Sequence, residues 1–235
     1  MIQHQAARTI RGTVGLAAIV LALSAGASSN AHAYTGMLSS VTGGILGTGN
    51  WVFNPQKPAI LQWTITKLQS GLWHYSYTFS HQRSETSHFI LEVCNSVTTS
   101  DIQNATGDFG SWSLGNFSNQ NGNPGIPGTI YGLKFSSAHG NTSLFAFDSY
   151  RAPVWKDFYA KGGTAGGHGV SAAWNKGFTS NDVDPSEETD PTDGTNTNHV
   201  LSLGCTDPVP EPGSLLLLGV GLIGAAGLAR RKKTA

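Results

Sequence analysis

"ILQWTITKLQSGLWHYSYTFSH", Ile60 to His81, is the stretch that decides the fold. Leu61, Trp63 and Ile65 fall on one side of an extended chain, and Gln62, Thr64 and Thr66 on the other. After Leu68-Gln69-Ser70-Gly71 the pattern resumes, with Trp73, Tyr75, Tyr77 and Phe79 opposite His74, Ser76, Thr78 and Ser80. Successive side chains of a strand point to opposite faces, so this alternation predicts two strands, each with one buried face. The short Gly-bearing connection makes them a hairpin.

Beyond this hairpin, further strands are expected over His88–Cys94, Thr129–Phe135, Ser143–Tyr150, Trp155–Ala160 and His199–Cys205. Between them lie "GNFSNQNGNPGIPG" and "KGGTAGGHGV", which are expected to punctuate rather than pack. Helical periodicity is almost lacking, and no solenoid or propeller repeat is visible. Short strands in this number predict an all-β domain over 34–205, an antiparallel β-sandwich of which a jelly roll is one variant.

The two ends of the chain read differently. Residues 1–33 carry Arg8 and Arg11, an apolar run from Val14 to Leu23, and the closing triplet Ala31-His32-Ala33. That order of charge, apolar stretch and small-residue triplet predicts a secretory signal helix, cleaved before Tyr34. At the other end, Ser214 to Ala229 holds no charged residue and is followed at once by Arg230, Arg231, Lys232 and Lys233. A stretch of about 17 apolar or small residues sits at the lower limit for spanning a bilayer. Basic residues remain on the cytoplasmic side, so 214–229 is expected to be a single transmembrane helix and 230–235 a basic cytoplasmic tail. The intervening linker, 206–213, contains Pro210-Glu211-Pro212. Two prolines keep it extended and outside the helix.

A Pro-Glu-Pro, one weak apolar helix and a short Arg/Lys tail, in that order from Val209 to Lys233, are similar to the PEP-CTERM sorting signal of exported bacterial proteins. The resemblance implies that Pro210, Glu211 and Pro212 are the recognition motif of a substrate, and that Arg230 to Lys233 are the basic stop. The implied partner is an exosortase, a membrane-embedded protease or transpeptidase. It also implies transient residence in the inner membrane and final delivery to the cell surface or extracellular matrix. The family occurs in bacteria that make exopolysaccharide or biofilm, which becomes a candidate partner. The segment "RAPVWKDFYAKGG", Arg151 to Gly163, resembles other exported proteins of this kind more loosely and brings no activity with it.

The formal charge is zero over the whole chain, but six of the fourteen Lys/Arg lie in the two end segments. The interval 34–209 keeps eight Lys/Arg against thirteen Asp/Glu, a net charge of −5. With no basic patch to displace counterions from phosphates, nucleic acid is not an expected partner. The two cysteines, Cys94 and Cys205, both lie in the exported interval, where oxidising conditions favour a disulfide between them; two buried thiols are the alternative.

"NDVDPSEETDPTDG", residues 181–194, gathers six acids and no base. Asp182, Asp184, Asp190 and Asp193 offer the hard oxygen ligands calcium takes, but the EF-hand spacing fails. Pro185 and Pro191 favour a solvated acidic loop, so no cofactor is expected and calcium is the alternative.

For catalysis, no G-x-S-x-G elbow and no H-E-x-x-H occurs. Glu92, Asp148 and Asp157 are the acids a glycosidase would need, yet each is expected to be a solvent-facing strand residue. The chain is therefore not expected to be an enzyme. Two function classes remain: a non-catalytic surface or matrix protein, and a carbohydrate-binding module. The latter would use Trp112, Tyr131, Trp155, Tyr159 and Trp174 as sugar-stacking rings, if those rings are not consumed by the core.

Overall fold

The computed structural model describes residues 33–52, 54–82, 85–137, 140–163, 170–181, 185 and 198–206. The expected signal helix, the transmembrane helix with its basic tail, and most of the acidic loop lie outside these residues. Among the described residues the architecture is all-β, with thirteen strands, every pairing antiparallel and no α-helix.

The expected hairpin is β3 (Ala59–Lys67) and β4 (Trp73–His81), paired from Ala59↔His81 to Lys67↔Trp73. Its turn closes through Leu68 N–H to the Leu72 carbonyl and Gly71 N–H to the Leu68 carbonyl. Burial follows the alternation: Leu61, Ile65, Tyr75, Tyr77 and Phe79 are buried, while Gln62 and Thr64 are exposed.

On either side of the hairpin stand β1 (Ala33–Ser39) and β9 (Thr142–Ser149), and β6 (Gln103–Gly107) completes a five-stranded sheet in the order β1-β3-β4-β9-β6. β1 begins one residue before the expected mature N-terminus. Gly36 on β1 faces Trp63 in register, and a Cβ there would collide with the indole, so only glycine lets the ring lie across this edge.

The second sheet has six strands in the order β2-β12-β11-β5-β8-β7. These are β2 (Ile45–Thr48), β5 (Thr86–Glu92), β7 (Ser111–Phe117), β8 (Ile130–Ser136), β11 (Phe158–Gly162) and β12 (Ala172–Asn175). A two-stranded ribbon, β10 (Pro153–Lys156) with β13 (Val200–Leu203), stands apart from both sheets in pairing. The single strand expected over Trp155–Ala160 is thus two, broken at Asp157, and its halves pair with different partners. Asp157 breaks it because its side chain turns inward to Asn175 and His199.

Between the two large sheets lies an aromatic layer. Phe89 on β5 sits 4.4 Å from Phe145 on β9 and stacks on Phe158 of β11 at 5.3 Å. Phe79 meets both Phe89 and Phe158, and Phe135 meets Phe145 at 4.8 Å. These rings are fully buried and make the arrangement sandwich-like.

A smaller cluster covers the outer face of the second sheet, where Ile126, Ile130 and Phe178 pack on Ile90 and Tyr159. The "GNFSNQNGNPGIPG" stretch therefore packs as well as punctuates. Asn123 within it is fully buried, and Ile126 nearly so. A loop can be buried in this way when its polar groups find partners, and Asn123 Nδ2 donates to the carbonyls of Ser118 and Asn121.

Candidate functional site

The described chain ends just past β13, at a junction tied down in three ways. Cys94, two residues beyond β5, forms a disulfide with Cys205, two residues beyond β13; their Cα atoms are 4.9 Å apart and 111 residues apart in sequence. The Cys94 N–H also donates to the Leu203 carbonyl at 3.1 Å. The third tie is Arg151, only 3% exposed. Its Nη1 donates to Ser96 Oγ and to the carbonyls of Gly204 and Cys205, and its Nη2 to the Ser96 carbonyl.

Arg151 Nε lies 3.2 Å from Asp101 Oδ1. Asp101 is itself fixed by a capping box with Thr98, whose N–H donates to its Oδ2 at 2.7 Å. Desolvation pushes the Asp101 carboxyl up, but the bonds from Thr98 and Arg151 outweigh it and hold the acid below its ordinary value. Tyr75 and Tyr77 reach across the core to donate to the carbonyls of Arg151 and Leu201. Burial raises both phenols well above their ordinary range, so they remain donors.

The three candidate hydrolytic acids are not solvent-facing. Glu92, Asp148 and Asp157 are 5%, 8% and 2% exposed, which overturns the expectation for each. Glu92 lies 3.8 Å from Lys156 Nζ and accepts the Asp157 N–H. Asp157 binds His199 Nδ1 at 2.8 Å and accepts from Asn175 Nδ2. Asn175 in turn donates to the Asn198 carbonyl and accepts the Phe158 N–H. Ser202 Oγ donates to the Glu92 carbonyl. The His199 ring rests on Gly177, where a Cβ would strike it.

Asp148 is gripped from both sides, by His74 Nδ1 at 2.6 Å and Asn104 Nδ2 at 2.8 Å. Buried carboxylates need such partners. What these acids do chemically is join strands: Glu92 and Asp157 link β5, β10 and β12 to the segment entering β13, and Asp148 links β4, β9 and β6.

Of the other histidines, His81 lies under Trp51 at 4.6 Å between ring centres, with its Nε2 on Thr86 Oγ1. Burial lowers its pKa to about 4. His139 and His168 lie outside the described residues. Among the described residues no group of three His, Cys, Asp or Glu side chains could hold a metal ion, and Asp182, Asp184, Asp190 and Asp193 fall outside them.

The proposed sugar-stacking rings do not form an exposed strip. Tyr159 is fully buried, with its hydroxyl on the Pro124 carbonyl. Trp112, Tyr131 and Trp155 are half-buried against the main core and Trp174 against the smaller cluster.

This junction is also where the domain hands over to its tail. Two residues beyond Thr206, the last described residue, a known sorting sequence begins. Residues 208–233 match the PEP-CTERM protein-sorting motif. Pro210, Glu211 and Pro212 lie within that match, as do Arg230, Arg231, Lys232 and Lys233; all are outside the described residues. The PEP-CTERM motif marks the chain as an exported protein that transits a membrane-anchored state and is recognised by an exosortase. No curated protein and no solved structure matches the chain. Among the described residues no helix is long and apolar enough to cross a membrane. Sequence reasoning identified Cys94 and Cys205 but missed Arg151, Asp101, His199 and Asn175. One signal was available: an arginine two residues from a strand end, in a domain this poor in bases, needs a carboxylate or several carbonyls.

Proposed function

We propose that this protein is a non-catalytic component of the cell surface or extracellular matrix, delivered through its sorting tail and associated with exopolysaccharide. The observation that carries this reading is the sorting motif at residues 208–233, placed directly after the tied-down strand end. A stable domain joined to a processing tag by a short linker suits display better than turnover. The pairing of Glu92, Asp148 and Asp157 supports the non-catalytic part of the reading, since each carboxylate is committed to an internal partner. The carbohydrate-binding alternative needs a polar groove rather than an aromatic strip.

The test is the mass of the mature C-terminus. The exported wild-type protein is expected to lack Arg230 to Lys233. A Pro210→Ala, Glu211→Ala double variant should keep them and accumulate in the inner membrane with its signal peptide removed and its domain folded. If the wild-type protein isolated from the cell surface or medium retains Arg230 to Lys233, processing and release are not its route.

A further inference from the structure

The outer face of the six-stranded sheet carries a polar groove of about 340 Å³ that no feature of the sorting tail accounts for. It is lined by Glu85, Thr86, Ser87 and His88 of β5 and the segment before it, by Lys134, Ser136 and Ser137 of β8 and its end, and by Gly163. The register places the residues. Lys161 on β11 pairs with His88 on β5, which pairs with Ser136 on β8, and one row along, Ile90 pairs with Lys134. Two lysines thus flank one histidine across three adjacent strands.

Neither lysine has a carboxylate partner among the described residues. Lys134 Nζ lies over the Phe117 ring at 5.5 Å, and Lys161 Nζ reaches only the Gly122 carbonyl at 3.4 Å. Burial, and then the charge of Lys161, lower the Lys134 ammonium from its ordinary value. The two cations also bear on His88. Burial first, and then Lys134 and Lys161, bring its pKa down to about 3, so the ring is neutral. Its Nε2 donates to Asn123 Oδ1 at 3.0 Å, which leaves Nδ1 as an acceptor. Ser137 holds a left-handed backbone, φ 57, with its N–H on the Ser87 carbonyl, so the groove wall is set at some conformational cost.

We propose that this groove binds the carboxylate-bearing sugar units of an acidic polysaccharide, with Lys134 meeting the carboxylate, Lys161 beside the groove adding to the local positive field, and Ser87, Ser136, Ser137 and His88 meeting sugar hydroxyls. The proposal rests on the matrix reading and gives that reading a ligand class. A domain whose exported interval carries −5 repels polyanions as a whole, so two neighbouring lysines with no ion pair to a carboxylate among the described residues are a local exception. An anion beside Lys134 relieves its repulsion from Lys161. Hydroxyls, which donate or accept, and a neutral imidazole with an accepting Nδ1 suit the polyol part of a sugar. Glu85, exposed and also lining the groove, accepts from sugar hydroxyls. The volume is at the small end for ligand sites, which fits a few rings of a polymer.

The experiment uses the processed protein, with its C-terminus first verified by mass spectrometry, so that a failure of sorting is seen separately. Calorimetric titration compares short oligouronates with the same oligomers after carboxyl reduction to neutral sugars. The acidic oligomers should bind, the neutral ones at least tenfold more weakly, and affinity should fall with added salt. Lys134→Gln should weaken oligouronate binding about tenfold and Lys161→Gln several-fold, while Lys134→Arg retains it. Circular dichroism melts show that each variant is folded; should Lys134→Gln not fold, Lys161→Gln and Ser136→Ala give the same readout. Equal binding of acidic and neutral oligomers, no binding at millimolar concentration, or unchanged affinity in both folded lysine variants overturns the proposal.

Discussion

The middle of the sandwich and the end from which the tail departs are held by opposite means. In the middle, Phe79, Phe89, Phe135, Phe145 and Phe158 interlock with no polar atom among their side chains. At the end, β10 and β13 pair only with each other; Val200, Leu201 and Leu203 reach the core, and a disulfide, Arg151 and the Asp157–His199 pair add further ties. Where a sheet has a second sheet to face, apolar area suffices. At the end, covalent and polar ties are added to that area.

The heaviest loss should come at the end. Removing the disulfide by a Cys94→Ser, Cys205→Ser double substitution frees a long loop, and the chain-entropy model gives a loss of about 4–5 kcal/mol. Urea denaturation of the exported domain measures it. A loss under about 1 kcal/mol means that Arg151 and the buried carboxylates hold β13 unaided.

Next comes the middle. Phe89→Ala removes a fully buried ring that touches three others, with an expected cost of about 3–4 kcal/mol from lost transfer energy and the cavity left behind. The same denaturation series reports it, and the disulfide should resist a mild added thiol reductant in this variant as in the wild type, read by alkylating any cysteine thiols that are freed. If Phe89→Ala instead makes the Cys94–Cys205 bond readily reducible by that thiol, the two regions are one cooperative unit at that point and the contrast breaks.

Acid should act most weakly, and it reaches the middle through His81. Its folded pKa is about 4 and that of His88 about 3, against an ordinary 6.5. Between those values the unfolded chain binds more protons than the folded one, so stability falls as pH falls from near 6.5 towards 4. The expected decline is on the order of 2 kcal/mol across that window, since partial relaxation around the rings reduces the full linkage value. His81→Gln should make the decline shallower. A stability independent of pH between 7 and 4 removes this account of the two rings.

The legible part of the fold was the part with strong alternation. β3 and β4 announce themselves because large apolar residues alternate with Thr, Ser and Gln. β1, β2, β6, β7 and β12 did not, because "AYTGMLS", "ILGT", "QNATG", "SWSLGNF" and "AAWN" are short or rich in Gly, Ser, Asn and Ala, whose strand preference is weak. Asp157 was the hardest to read. In a linear pattern it resembles an exposed acid, and only the arrival of Asn175 and His199 from later in the chain makes its burial tolerable. The disulfide was legible from compartment and cysteine count, whereas Arg151 depends on carbonyls supplied by turns that no local pattern announces. The sorting tail was readable at once because its signal lies in consecutive residues and needs no folding to assemble.

The link between Cys94 and Cys205 also fixes how the molecule carries load. A pull on the tail enters at Thr206 and, without that bond, would unzip β13 from β10 one rung at a time, the weak direction for an antiparallel ribbon. With it, tension passes at once to Cys94 and so to β5, an interior strand flanked by β11 and β8. There the load meets a strand paired on both sides, so two ladders resist it together. Load on the last residues of the domain is thereby taken at its centre instead of at its edge.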